Sequence, residues 1–238
     1  MIPLYDNVPR VHPPIAVVAV IACNVLAYLY QLSLPDYDLM VLLFEWGVVP
    51  ARFTDPAWAA QVGYTGSAVP SFLTYMFLHA DFLHILLNMW MLWIFADNIE
   101  DVTGHGGFVV FYLLCGLVAV CIHLLFNLDS PVPIIGASGA IAGVMGAYFV
   151  LYPHGRVATL VFIIVLRLPA VFFLGFWFVV QIISGLGEGG GAQQSAGVAW
   201  WAHVGGFLAG MYFIRHFVKK DRCYYCYNPE KKHYDLND

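Results

Sequence analysis

Apolar residues run along this chain in long blocks rather than in the narrow stripe of a surface helix. Six blocks, Pro14–Gln31, Phe82–Asn98, Phe108–Leu125, Ile134–Leu151, Pro169–Leu186 and Val198–Phe217, have the roughly 17–25 residues that cross about 30 Å of hydrocarbon at about 1.5 Å per residue. The pattern predicts an all-α membrane protein, a bundle of six transmembrane helices. Between the first two blocks, from Ser33 to Asp81, lie Met40–Pro50 and Ser71–Leu78. These apolar pieces are too short to cross, so the first loop is expected to be partly embedded in the membrane. Arg156–Leu168 is apolar between two arginines and ends at Pro169; it reads as an interfacial segment with Arg167 at the membrane surface. Gly187–Gly197 is polar and glycine-rich. It cannot pack a core and is expected to form a mobile cover over the outer face.

Composition supports the same class. Of 238 residues, 61% are hydrophobic and 11% charged, against about 45–50% and about 25% in soluble domains. A disordered chain and an ordinary soluble enzyme are both excluded. Net charge is −5 with ten basic residues, leaving no basic stripe for nucleic acid, so the bilayer is the expected surrounding partner. Lysine and arginine set orientation: Arg10, Arg156, Arg167, Arg215, Lys219, Lys220, Arg222, Lys231 and Lys232 fall on the side of the termini, with Arg52 alone opposite. Both termini are therefore expected in the cytoplasm. The first block has no small-residue cleavage site after it and should be retained. The organisation reads as a cytoplasmic segment over 1–13, a six-span domain over 14–217 and a cytoplasmic tail over 218–238. Cys223 and Cys226 form a C-x-x-C in that tail; without a second pair of ligands it is a weak zinc signal, and neither metal nor cofactor is called for.

Polar side chains inside spans point to function, and four stand out: His84, Asn88, Ser138 and His203. The second, fourth and sixth spans run in the same direction, and each of these residues falls near the start of its span, within about 10 Å of the outer boundary. His84 and Asn88 are one turn apart and share a helix face. Gly136, Gly139, Gly143 and Gly146 in the fourth span, and Ala202, Gly206 and Gly210 in the sixth, allow close backbone approach and could bring Ser138 to His203. A serine needs an adjacent base to become nucleophilic, and histidine serves that role near neutral pH. Asn88, His84 and the Ser138 backbone N–H could donate to an oxyanion. Asn24 and Gln181 lie outside this constellation. Interhelical hydrogen bonding alone would explain any one of these residues. Their shared depth and complementary chemistry favour a hydrolytic dyad without a third carboxylate. A transporter would place charged relays near the midplane, and this layer has none.

The sequence resembles the rhomboid family of intramembrane serine proteases from about Gly47 to Arg215. The resemblance rests on His79-A-D-F-L-His84-I-L-L-Asn88, on Gly136-A-Ser138-Gly139, on Ala202-His203-V-Gly205-Gly206-F-L-A-Gly210, and on the turn Glu100-D-V-T-Gly104. It implies a six-helix bundle around a water-accessible cavity, with Ser138 as nucleophile, His203 as general base, and His84, Asn88 and the Ser138 amide as the oxyanion site. It also implies single-span membrane proteins as substrates, cut in or near the transmembrane segment. The compact form looks prokaryotic, which points to the plasma membrane. One turn after the serine the family often has an aromatic residue stacked on the histidine; here Ala142 stands there, so His203 needs another support. The family also includes members that bind and retain membrane proteins without cutting them, which typically lack the serine or the histidine.

Overall fold

The computed structural model describes residues 1–64, 67–188, 198–228 and 233–234. Its elements are β1 (Ile2–Asp6), α1 (Ile15–Leu32), α2 (Asp36–Trp46), α3 (Ala51–Thr54), α4 (Pro56–Gln61), α5 (Ser71–Thr74) with a 3₁₀ turn at Tyr75–Phe77, α6 (Phe82–Thr103), α7 (His105–Phe126), α8 (Ser138–Leu151), β2 (Arg156–Val161), β3 (Ile164–Pro169), α9 (Ala170–Glu188) and α10 (Trp200–Phe217). A two-residue hairpin, β4 (Tyr227–Asn228) with β5 (His233–Tyr234), follows. Helices α1, α6, α7 and α9 are long and apolar enough to cross a membrane, which makes this an integral membrane protein. The other two expected spans correspond to α8, 14 residues long, and α10, 18 residues long.

Helix α8 is the axis of the bundle. Gly139 to Tyr148 are all buried, and α7, α10 and α6 close around them. An ideal Cβ on Gly206 would overlap the carbonyl oxygen of Gly139, one on Gly210 that of Gly143, and one on Gly146 that of Phe207. The backbones of α8 and α10 therefore touch directly, as small residues at four-residue spacing allow. The block expected to be helical from Ile134 begins instead at Ser138. Gly136 sits at φ +118°, outside helical space, and Ile134 pairs with Val48 through both backbone bonds, 3.1 and 2.8 Å.

One end of the bundle, here the basal end, gathers residues from both ends of the chain. The Glu100 carboxylate accepts from the N–H groups of Ala16 and Val17, each at 2.8 Å. It thereby caps α1, whose own N-terminus has no side-chain cap. It also bonds the His105 ring. Asp101 accepts from the Val11 and His12 amides at 2.6 and 2.7 Å, and the Lys219 N–H reaches Val102 O at 2.8 Å. The turn singled out in the sequence is thus the tether of the basal end.

The all-α expectation needs correcting. Arg156–Leu168, read as an interfacial segment, is an antiparallel hairpin, and with β1 it makes a three-stranded sheet in the order β1-β2-β3. β-Branched residues favour strand, but apolar residues occupy successive positions and hide the period of two. The partner strand β1 also lies some 150 residues away in sequence. Cys223 and Cys226, considered above for zinc, are joined as a disulfide. Of the expected mobile cover Gly187–Gly197, residues 189–197 lie outside the described residues.

Gly206→Val forces α8 from α10 and should cost about 3 kcal/mol in detergent unfolding. Gly106, with open space at its Cβ, should accept alanine with no loss and a gain of up to about 1 kcal/mol. Glu100→Ala leaves two buried N–H groups without partners, and should destabilise by about 3 kcal/mol in the same measurement.

Candidate active site

Ser138 opens α8 one residue after the non-helical Gly136, with Ala137 as the N-cap, so its side chain stands at a helix start beside α10. The His203 Nε2 to Ser138 Oγ distance is 2.7 Å. Both side chains are partly exposed, as a group that must meet substrate requires. Gly206 holds the two helices at this spacing, because a Cβ there would strike the Gly139 backbone, and Gly139 in turn fits α8 against α7, where its Cβ would stand 2.7 Å from Ala119 Cβ.

The opposite ring nitrogen identifies the support that Ala142 does not supply. His203 Nδ1 lies 2.7 Å from Gln181 Oε1 on α9. The Gln181 amide nitrogen donates to Trp177 O at 3.2 Å, which turns its carbonyl oxygen toward the imidazole. An amide oxygen only accepts, so Nδ1 carries the proton and Nε2 is left free to accept from the Ser138 hydroxyl. Trp177 and Trp200 flank the ring at centroid distances of 5.8 and 6.2 Å. Gln181, set outside the constellation on sequence, belongs to it. The signal was present: α9 runs toward the site, and Gln181 lies about 10 Å below its far end at about 1.5 Å per residue, the depth of the other four.

His84 and Asn88 face the site from α6. A Cβ built on Gly136 would lie 2.7 Å from His84 Nε2 and 3.7 Å from Asn88 Nδ2, so both nitrogens look onto a space that glycine leaves open. The Ala80 N–H donates to His84 Nδ1 at 3.5 Å, leaving Nε2 as the protonated, donating nitrogen. Asn88 Nδ2 is buried and has no hydrogen-bond partner among the described residues. A donor held without an acceptor is costly, and here it lies one turn from His84 on the same face. Gly136 is fixed from below, its N–H donating to Tyr75 O at 2.9 Å, while Tyr75 Oη bonds Gly116 O at 2.6 Å.

His79 has a supporting place. The Gln31 side chain of α1 bonds both its backbone N–H, at 3.0 Å, and its C=O, at 2.8 Å, and its ring meets that of His84 edge-on at 5.0 Å. Burial, reinforced by the neighbouring His84, lowers His79 to about 4, which keeps it neutral near physiological pH. Asn24 bonds Val20 O within α1 and joins none of this. The layer thus combines a serine hydroxyl directed at a histidine nitrogen, a histidine held in one tautomer, and two donors around an open space, the components of acyl transfer.

Comparison with known proteins assigns the chain to a family. The Rhomboid domain family matches residues 67–220, more than half of the chain and a span within which the polar layer falls. Rhomboid protein 1, mitochondrial, of Saccharomyces cerevisiae is 27% identical over 231 residues, covering 92% of this chain and 60% of the yeast protein. The Presenilin-associated rhomboid-like protein, mitochondrial, of Mus musculus is 30% identical over 149 residues, 59% of this chain and 36% of the mouse protein. Rhomboid protease GluP of Bacillus subtilis is 31% identical over 143 residues, 58% of this chain and 24% of that protein. The matches therefore span between about a quarter and three-fifths of these relatives' own lengths. With its family match laid across the helices that carry the polar layer, the chain belongs to the rhomboid family.

Proposed function

We propose that this protein is an intramembrane serine endopeptidase that cuts single-span membrane proteins in or near their transmembrane segment. In this reading α1, α6, α7, α8, α9 and α10 are its six spans, and both termini are cytoplasmic. The observation that carries the reading is the Ser138–His203 hydrogen bond in the tautomer selected by Gln181. The relatives are named for mitochondria and for a bacterial protease, so the prokaryotic plasma membrane expected from sequence gives way to the broader reading of an integral membrane protein of a cellular bilayer.

The chemistry follows from the donors and acceptors. Ser138 Oγ attacks the scissile carbonyl carbon while its proton passes to His203 Nε2. The Nδ1–H of the resulting imidazolium remains on Gln181 Oε1. Negative charge developing on the carbonyl oxygen is met by Asn88 Nδ2–H, His84 Nε2–H and the Ser138 backbone N–H. His203 then gives its Nε2 proton to the leaving amide nitrogen, the C–N bond breaks, and an ester on Ser138 remains. Water attacks the ester with His203 again as base, releasing the new carboxylate and restoring the hydroxyl. A membrane helix satisfies its own backbone hydrogen bonds, so the bond to be cut must first be unwound.

In vesicles holding a single-span substrate, Ser138→Ala and His203→Ala should each lower cleavage by about 10³-fold or more. Cleavage that survives both variants would refute the dyad, whereas client retention that survives both without cleavage would favour a non-proteolytic binding factor. Asn88→Ala should lower kcat about 10²-fold with little change in KM. Gln181→Leu should lower kcat about 10- to 100-fold through misplacement of the imidazole, whereas Gln181→Glu, which keeps an acceptor at Nδ1, should retain most activity. Equal rates for leucine and glutamate at 181 would refute the tautomer assignment.

A further inference from the structure

The sheet climbs the bundle instead of lying across its base. The Asn98 amide reaches Val8 O near the basal end at 3.2 Å, and Trp90 Nε1–H donates to Pro3 O at 2.7 Å. Trp90 lies about 20 Å along α6 from its basal end at Thr103, at about 1.5 Å per residue, and only half a turn from Asn88. Strand β2 starts at the basal end, where Asn7 and Arg156 exchange hydrogen bonds of 3.1 and 2.6 Å, and β3 returns there to enter α9 at Ala170. Six residues at roughly 3.3 Å each carry the hairpin about 20 Å from its base. Its tip therefore reaches the depth of the candidate active layer, on the side of the bundle bounded by α6 and α9.

The surroundings of β3 are unusual for a strand. Val157, Ala158 and Thr159 of β2 are buried, but Ile164, Val165 and Leu166 of β3 are all exposed, and the tip residues Phe162 and Ile163 are 96% and 92% exposed. Successive strand residues face opposite sides, so over Ile164–Leu166, the part nearest the tip, β3 is apolar on both faces, which suits hydrocarbon, while the exposed Arg167 lies nearer the basal end. Among the described residues β2 is its only partner in the sheet, and its outer edge is open. A two-residue turn makes Val161 and Ile164 a hydrogen-bonded pair, and the antiparallel alternation then turns the N–H and C=O of Val165 and Arg167 outward. Lipid chains cannot pair with these groups, and open sheet edges are not tolerated in hydrocarbon. A helix cannot pair with them either, since its own backbone is already satisfied. An extended polypeptide can.

We propose that the free edge of β3 is a docking strand on which an unwound stretch of the membrane substrate adds as a fourth strand, leading it toward Ser138. This rests on the protease reading. The substrate must lose helical hydrogen bonds before it is cut, and β3 supplies replacements at the depth where they are lost. Main-chain pairing would bring affinity with little demand on side chains, and Phe162 and Ile163 would meet the residues nearest the cut.

The test uses the full chain in lipid vesicles, with Ser138→Ala to preserve substrate, Cys23, Cys115 and Cys121 replaced by alanine, and Val165→Cys on the edge. A single-span substrate carrying one cysteine, stepped through its segment, is oxidised against it. Crosslinks at every second substrate position are expected, because cross-strand Cβ atoms lie about 4.5–5.5 Å apart on one face only. Crosslinks repeating every third or fourth position, their absence, or Val165→Cys linking only to a second copy of this chain would each overturn the proposal. In the Ser138 protein, Val165→Pro removes an outward N–H without touching the β2 pairing. It should lower kcat/KM on the membrane-spanning substrate at least tenfold, leaving fluorophosphonate labelling of Ser138 unchanged. Equal cleavage of the membrane substrate would overturn it. Loss of labelling in the unsubstituted protein would refute the protease reading, while the crosslink period still decides the docking.

Discussion

Direct backbone contact between α8 and α10 is the constraint on which the rest depends. Helices in lipid gain little from burying apolar surface against each other, because the surrounding chains are equally apolar. Close approach has to come from side chains that are absent. Gly139 against Gly206, Gly143 against Gly210, and Gly146 against the Phe207 backbone supply it. At the site end of that seam stand Ser138 and His203, each fixed to its helix, so their 2.7 Å separation is a property of the seam and not of the two residues alone. Aromatic packing carries the constraint outward: Phe178 stacks on Phe207 at 4.5 Å, which holds α9 in place and brings Gln181 to the imidazole.

Helix α6 works at both of its ends, with opposite hydrogen-bond logic. At the basal end Glu100 and Asp101 are buried, and their carboxylates are committed to the backbone N–H groups of the N-terminal segment and α1. At the other end Asn88 is buried with its amide nitrogen uncommitted. Buried polar groups are ordinarily satisfied. The saturated end locks α1 onto the bundle, and the unsaturated end is where an incoming oxygen would be stabilised. Gly136, held open at positive φ under His84 and Asn88, keeps the space between them free.

Much of this was legible in the chain before the fold was known, because in a membrane a polar residue is visible against its background. Ser138, His203, His84 and Asn88 were found by their depth, and the glycine spacing announced the α8–α10 seam. Gln181 is less legible because α9 runs the opposite way, so its depth counts back from the far end of its helix. The sheet escaped for a different reason. Alternation reveals a strand only when one face meets water, and in β3 apolar residues fill successive positions on both sides of the single Arg167. Its companion β1 is a five-residue strand that becomes recognisable only once it pairs with residues 157–160. The short start of α8 was readable at Gly136, but the apolar run through Ile134 and Ile135 concealed it.

The reactivity of Ser138 is best measured by intact-protein and peptide mass spectrometry after treating the vesicle-embedded protein with a fluorophosphonate. A single adduct located on Ser138, formed by the unsubstituted protein and lost in His203→Ala, is the expected result. An adduct elsewhere, or equal labelling of Ser138 without His203, would contradict a serine activated by that histidine.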